Sequence, residues 1–316
     1  MNGEQSMAAN GVKKIPARGS HSGRIAVIAG HAFTQLVRMK VFYFLAVFAV
    51  IAIASNFIDL PQHAVPESMG ANVLNQIKSW SLGTMTLFSV VISVVATALL
   101  LPKDIEDRTL YTILAKPVPR FDYLAGKLTG VLLLVFVSLL LMDLLMVGVL
   151  QMRTGMVMEQ TEAMGRAFGW SPETIESKKL EVLGNGSTWS LQGAVLAVFF
   201  RSAIIAAVAL LVSTFATSTL FTTVISFLVY FIGFFQADAR DLYLQGGEAG
   251  ESLWARLAAL ALSLVLPDFQ LFNVIDAVIE GQAMTWDALG KLGLVTGYYV
   301  VTFTFVAWFL FSDKEV

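Results

Sequence analysis

The sequence predicts an all-α polytopic membrane protein. It should have six transmembrane helices, an N-terminal interfacial helix, a cytoplasmic helix between two spans, and external short helices that are re-entrant or interfacial. Three observations predict this class. Of 316 residues, 56% are hydrophobic and 14% charged, with a mean hydropathy of +0.72. Soluble domains carry about 45–50% apolar and about 25% charged residues, so a globule of this composition would lack polar groups to cover its surface. Six apolar stretches approach the roughly 20 residues that a bilayer core of about 30 Å requires. Finally, Lys and Arg are distributed unevenly between the connecting segments. An ordinary soluble enzyme and a disordered chain are excluded. The absence of cysteine excludes disulfides, Cys-ligated zinc, iron–sulfur clusters and thiol catalysis.

The predicted spans are Val41–Ile58, Ser81–Leu101, Leu128–Leu150, Leu191–Ser213, Leu220–Phe235 and Leu292–Phe311. Four carry no charge; the third holds Asp143 and the fourth Arg201. With the N-terminus inside, the inner segments 1–40, 102–127, 214–219 and 312–316 hold 12 Lys and Arg in 77 residues. The outer segments 59–80, 151–190 and 236–291 hold 8 in 118. That density difference has the sense of the positive-inside rule, and it places both termini in the cytoplasm. The first forty residues do not suit a cleaved signal peptide, so Val41–Ile58 is expected to act as an uncleaved anchor.

Residues 1–23 read as a flexible cytoplasmic tail, and 24–316 as one transmembrane domain. From Arg24 to Lys40, Ile25, Ile28, Ala32, Leu36 and Val37 recur at helical spacing, with Arg24, His31, Gln35 and Arg38 on another face. This is an amphipathic helix lying along the inner interface, or else one continuous with the first span. In 151–190, Ser171-Pro172 is a helix start and Gly184 a stop, which predicts a short surface helix. In 236–291, Leu253–Leu266 is too short to span comfortably and reads as re-entrant or interfacial. Pro267 breaks it, and a second helical pattern runs through Phe272, Ile275 and Ile279.

The inner loop from Leu101 to Gly130 is the most specific segment. Asp104, Glu106 and Asp107 suit a helix N-terminus. Leu110, Ile113 and Leu114 form an apolar stripe, Lys116 suits the C-terminal end, and Pro117 and Pro119 stop the helix. Arg120, Gly126 and Lys127 lead into the third span. The result is a short cytoplasmic rod with an apolar face, mounted between two spans, and suited to a groove on a soluble partner.

The order Glu106, Arg108-Thr109-Leu110, Leu114, Pro117, Arg120, Gly126-Lys127 resembles the coupling-loop signature of the type-2, exporter-class permeases of ABC transporters. Many members carry glycine before the Thr-Leu pair, where this chain has Arg108. The interfacial helix, six spans, late external short helices ending in LPDFQLFNV, aromatic last span and charged tail SDKEV extend the resemblance over most of the chain. It implies that Glu106, Arg108, Thr109, Leu110, Ile113, Leu114, Pro117 and Arg120 couple the spans to a separate ABC ATPase subunit, which would bind ATP and Mg. It also implies pairing with a second copy or a homologous permease, in the plasma (inner) membrane of a prokaryote. The sequence has no G-x-x-x-x-G-K-[ST] motif of its own, and the chain is expected to bind no cofactor and no metal. The expected partners are that ATPase, the second permease and the lipid bilayer, with no nucleic acid.

Asp143 and Arg201 are the two ionisable residues in the predicted spans, and each is costly there without a partner or water. Counted from the outer ends of their spans, their depths differ by only about 3 Å, which predicts that they approach one another. Such a pair is either a neutralised clamp between helices or a polar element of a translocation route. Gly126 and Gly130 form a G-x-x-x-G step that permits close helix packing. Trp80, Trp189, Trp286 and Tyr298 or Tyr299 fall near span ends, as interfacial anchors do. Met142, Met146, Met152, Met156 and Met158 read as packing rather than a copper site. His21, His31 and His63 all lie outside the spans and no H-E-x-x-H occurs, so intramembrane metal hydrolysis has no ligand set. The alternatives to a permease are an ATPase-independent secondary transporter and a membrane-assembly scaffold.

Overall fold

The computed structural model describes residues 20–55, 69–106, 119–216, 218–244, 254, 257 and 265–312. Among these, every regular element is helical. The helices are α1 (His21–Val37), α2 (Lys40–Ala54), α3 (Met69–Glu106), α4 (Arg120–Ala167), α5 (Pro172–Gly184), α6 (Trp189–Phe215), α7 (Thr219–Leu244), α8 (Ile275–Ile279) and α9 (Trp286–Ser312). A 3-10 turn at Gln270–Phe272 precedes α8. Five helical stretches, lying in α3, α4, α6, α7 and α9, are long and apolar enough to cross a membrane, which marks a helical membrane protein. The expected first span is helical over Lys40–Ala54, 15 residues. That rises about 22 Å, short of a bilayer core. Residues 56–68 lie outside the described part, so the expected first span Val41–Ile58 is described only as far as Ser55.

The chain breaks between α1 and α2 at Arg38 and Met39 rather than running on as one helix. Ser20 caps α1, its hydroxyl accepting from the Gly23 amide at 3.3 Å. Ala29, Ala32 and Leu36 are its buried face, and that face lies on α4. The G-x-x-x-G step is what lets it approach. A Cβ at Gly126 would come within 2.7 Å of the Ile28 side chain, and one at Gly130 within 2.7 Å of Ala32 Cβ and 2.8 Å of the Ala29 carbonyl.

Two helices outrun the apolar stretches that predict them. α3 begins at Met69 and α4 runs to Ala167, whereas hydropathy marks Ser81–Leu101 and Leu128–Leu150. At 48 residues α4 is about 72 Å long, more than twice a bilayer core. Its buried stripe runs from Leu124 through Val131, Val135, Met142, Met146 and Leu150 to Val157. Its exposed face is apolar from Leu133 to Leu145, where lipid would lie, and turns polar at Gln151, Glu159 and Gln160. The polar end folds back at Gly169, whose φ of 69° is a left-handed conformation that glycine adopts at no steric cost. There α5 starts, its Ser171 hydroxyl accepting from the Thr174 amide at 3.3 Å. Glu162 on α4 pairs with Lys179 on α5 and with Arg166.

α6 is the hub. It is buried nearly all round, and Ala194, Ala197, Ala203, Ala206, Ala207 and Ala209 let α3, α4, α7 and α9 pack close to it. Arg120 at the start of α4 reaches the end of α9, so these two helices run in opposite directions and their termini share one end of the bundle. At the far end the Trp189 and Trp286 rings, which open α6 and α9, lie 5.3 Å apart, and the Met284 amide donates to Ser190 Oγ at 3.1 Å.

Candidate functional site

Glu106 is the last residue of α3. Arg108, Thr109, Leu110, Ile113, Leu114 and Pro117 lie outside the described residues. Arg120 opens α4, and its role is visible. Its Nη1 donates to the carbonyls of Phe311 at 2.8 Å and Ser312 at 2.6 Å, two of the acceptors that a helix end leaves unsatisfied. Its guanidinium also lies 5.9 Å from the Phe311 ring centre. Tyr123 stacks on the same Phe311 ring, and Lys127 Nζ sits over Tyr123. Arg120 is therefore a fastener between the start of α4 and the end of α9.

Beside it is a second fastener that sequence reasoning missed. Asp122 is fully buried in the first turn of α4. Its carboxylate accepts from Arg24 Nε at 2.7 Å and from His21 Nδ1 at 2.9 Å, both on α1. Asp122 precedes Leu128–Leu150, the apolar stretch of α4 expected to span the membrane. Burial by itself would raise its carboxyl, but the hydrogen bonds and charges of His21 and Arg24 outweigh that and hold it below the ordinary aspartate range. The sequence did hold a signal. Asp122 is the lone acid between Pro119 and Gly130, opposite a helix whose cations have no acid of their own.

The expected Asp143–Arg201 pair does not form; among the described residues no ion pair joins them. Asp143 accepts from Gln192 Nε2 on α6 at 3.1 Å. Arg201 is also on α6, but nine residues further along. Nine residues are two and a half turns, so Gln192 and Arg201 point to opposite sides of α6, about 13.5 Å apart along its axis. Counting residues from span ends gives a depth; it fixes neither the helix face nor the register between helices. Gln192 thus serves the acid, a role that nothing in its sequence context announced.

Arg201 instead faces α7. It is 3% exposed, with its guanidinium carbon 5.9 Å from the Phe234 ring centre and the Tyr230 hydroxyl as its polar neighbour. Tyr230 packs on Phe269, their ring centres 5.4 Å apart. The segment carrying Phe269 is bound to α7 by three contacts. The Phe269 amide donates to the Gly233 carbonyl at 3.1 Å, and Gln270 Nε2 donates to the Phe234 carbonyl at 3.0 Å and to Asp238 at 3.1 Å. Tyr299 of α9 donates to the Leu266 carbonyl at 3.3 Å. Most of the expected re-entrant piece Leu253–Leu266 lies outside the described residues, while Pro267–Ile279 forms the 3-10 turn and the short α8.

The methionines do not converge. Met142 and Met146 are buried in the core, whereas Met152 and Met156 are exposed. A groove of about 500 Å³ between α2 and α3, lined by Ser55, Trp80, Thr84 and Phe88 among others, presents no ionisable side chain among the described residues. No protein-family model matches the chain, and no curated protein matches it either.

Proposed function

We propose that this chain is the membrane-spanning permease subunit of an ABC transporter of the exporter class. The observation that carries the proposal is the residue order from Glu106 to Lys127, placed between two long apolar helices. In this reading the rod around Thr109 docks on a separate ATPase that binds ATP and Mg, and two permease subunits pair across the membrane. Closure of the ATPase pair biases a two-state equilibrium of the spans. The fasteners at Asp122 and Arg120 support the reading, because they make α1, α4 and α9 one unit at the end where the loop enters. A push on the loop then moves three helices together rather than bending one. The chain is a transport subunit in this scheme, not an enzyme. It resides in a prokaryotic plasma membrane with both termini cytoplasmic.

Purification of the tagged full-length chain from its native membranes tests this. An ATP-binding subunit is expected to accompany the wild type and to be lost from Leu110→Asp or Leu114→Asp, with the permease still present at wild-type level. Labelling of the Thr109 region from the external face, or full transport with no ATPase present, would overturn it.

A further inference from the structure

The unsatisfied atoms of Arg201 form a pattern. Its Nε and Nη2 are both buried and have no hydrogen-bond partner among the described residues. These two nitrogens are neighbours on one edge of the guanidinium, and their N–H bonds run parallel. That edge is the fork that grips two oxygens of a carboxylate or a phosphate at once. The opposite charge expected from the sequence is held elsewhere, by Gln192. Phe234 lies against the guanidinium, and Tyr230 beside it packs on Phe269, which shares a buried cluster with Phe272 and with Val90 and Val94 of α3. The buried Asp268 of the same segment accepts from the Gln270 amide at 2.9 Å. Ser93, on the α3 turn between those two valines, also has a buried hydroxyl without a partner among the described residues. Behind the site, α7 exposes Leu228, Phe231, Ile232 and Phe235 on its outer side.

We infer that the Nε–Nη2 edge of Arg201 binds an oxyanion, carboxylate or phosphate, carried on an apolar body. The guanidinium fixes the charged group, and the aromatic rings of Phe234, Tyr230 and Phe269 receive the body. The segment Pro267–Phe272 packs on Tyr230 through Phe269 and is seated on α7 by the Phe269 amide and the Gln270 side chain. That segment must part from α7 for the anion to enter. The exposed Leu228, Phe231, Ile232 and Phe235 give α7 an apolar outer side, so the ligand arrives from the lipid side as an amphiphile. This deepens the transport reading by naming a cargo class.

The test uses the full-length chain in phosphatidylcholine nanodiscs with three radiolabelled probes: palmitoyl-oleoyl phosphatidylglycerol, oleate and inorganic phosphate. Wild type is expected to retain one of the two amphiphiles at about one per chain and not to retain free phosphate. Which amphiphile is retained identifies its source as a membrane phospholipid or a free carboxylate. Arg201→Gln is expected to weaken retention at least tenfold. Arg201→Lys keeps the charge without the fork and should fall between, and it decides the matter if the glutamine variant does not fold. Glu162→Gln, remote from the site, should bind as wild type does. Equal retention by wild type and Arg201→Lys, retention of inorganic phosphate alone, or no amphiphile retained by wild type would overturn the inference. The assay contains no ATPase. Arg201-dependent binding without a co-purifying ATPase would sink the permease assignment and leave this site standing; the reverse result would do the opposite.

Discussion

Asp122 and Arg201 are both almost wholly buried charges, and the protein treats them differently. Asp122 has a guanidinium at 2.7 Å and an imidazole at 2.9 Å, and the helix carrying them lies against α4 through two glycines. Arg201 has a ring face, a phenol and an open fork. Native proteins satisfy nearly all their buried polar groups, and the exceptions concentrate where something must move or bind. The contrast separates a region built to hold its shape from one built with unused bonding capacity.

The largest expected effect comes from breaking the held region. Arg24→Met leaves the Asp122 carboxylate buried without its closest cation, at a cost of about 3 kcal/mol in the docking of α1. Hydrogen exchange of the α1 amides in nanodiscs should rise by about two orders of magnitude while α6 stays protected. The same contact depends on pH with a definite sign. A carboxyl held below its ordinary range contributes stability above that range, and the contribution is lost as pH falls through the folded value. Protection of α1 should therefore fall on acidification below the ordinary aspartate range.

Much of this arrangement is legible in the sequence, in a graded way. The apolar runs locate α3, α4, α6, α7 and α9, because the bilayer imposes a length on them. The runs do not locate helix ends. Beyond Leu150 no proline occurs, and Gln151, Met152, Glu159, Gln160 and Met164 are helix formers, so α4 runs through Gly155 and Gly165 to Ala167. Ser171-Pro172 and Gly184 bound α5 because capping is local chemistry. The Gly126 and Gly130 step announces a close packing but not its partner, which is α1 rather than another span. For the charges, depth was readable and direction was not. Gln192 and Tyr230, the side chains that meet Asp143 and Arg201, are set by helix rotation, which no single-sequence count supplies.

Two smaller perturbations sharpen the contrast. Gly130→Val puts a side chain against the Ala29 carbonyl, and backbone cannot swing aside as a side chain can. About 1–3 kcal/mol of overpacking is expected. Exchange should again increase in α1, with the Arg201-facing segment of α7 unaffected. Smallest is Glu162→Gln at the far end. Lys179 first, and Arg166 next, hold the Glu162 carboxyl below its ordinary range, but the pair is open to water. A slight fall in thermal midpoint at low salt is expected, vanishing at high salt and at acid pH where the carboxylate is lost.

The unbroken run of α4 has a mechanical corollary. A helix of about 72 Å magnifies angles: where it moves as one body, a tilt of about 5° about one tip carries the other through roughly 6 Å, more than a helical pitch. The short hairpin with α5 rides on that distant tip. A small swivel near Arg120 would thus be broadcast as a wide sweep at the opposite end of the helix.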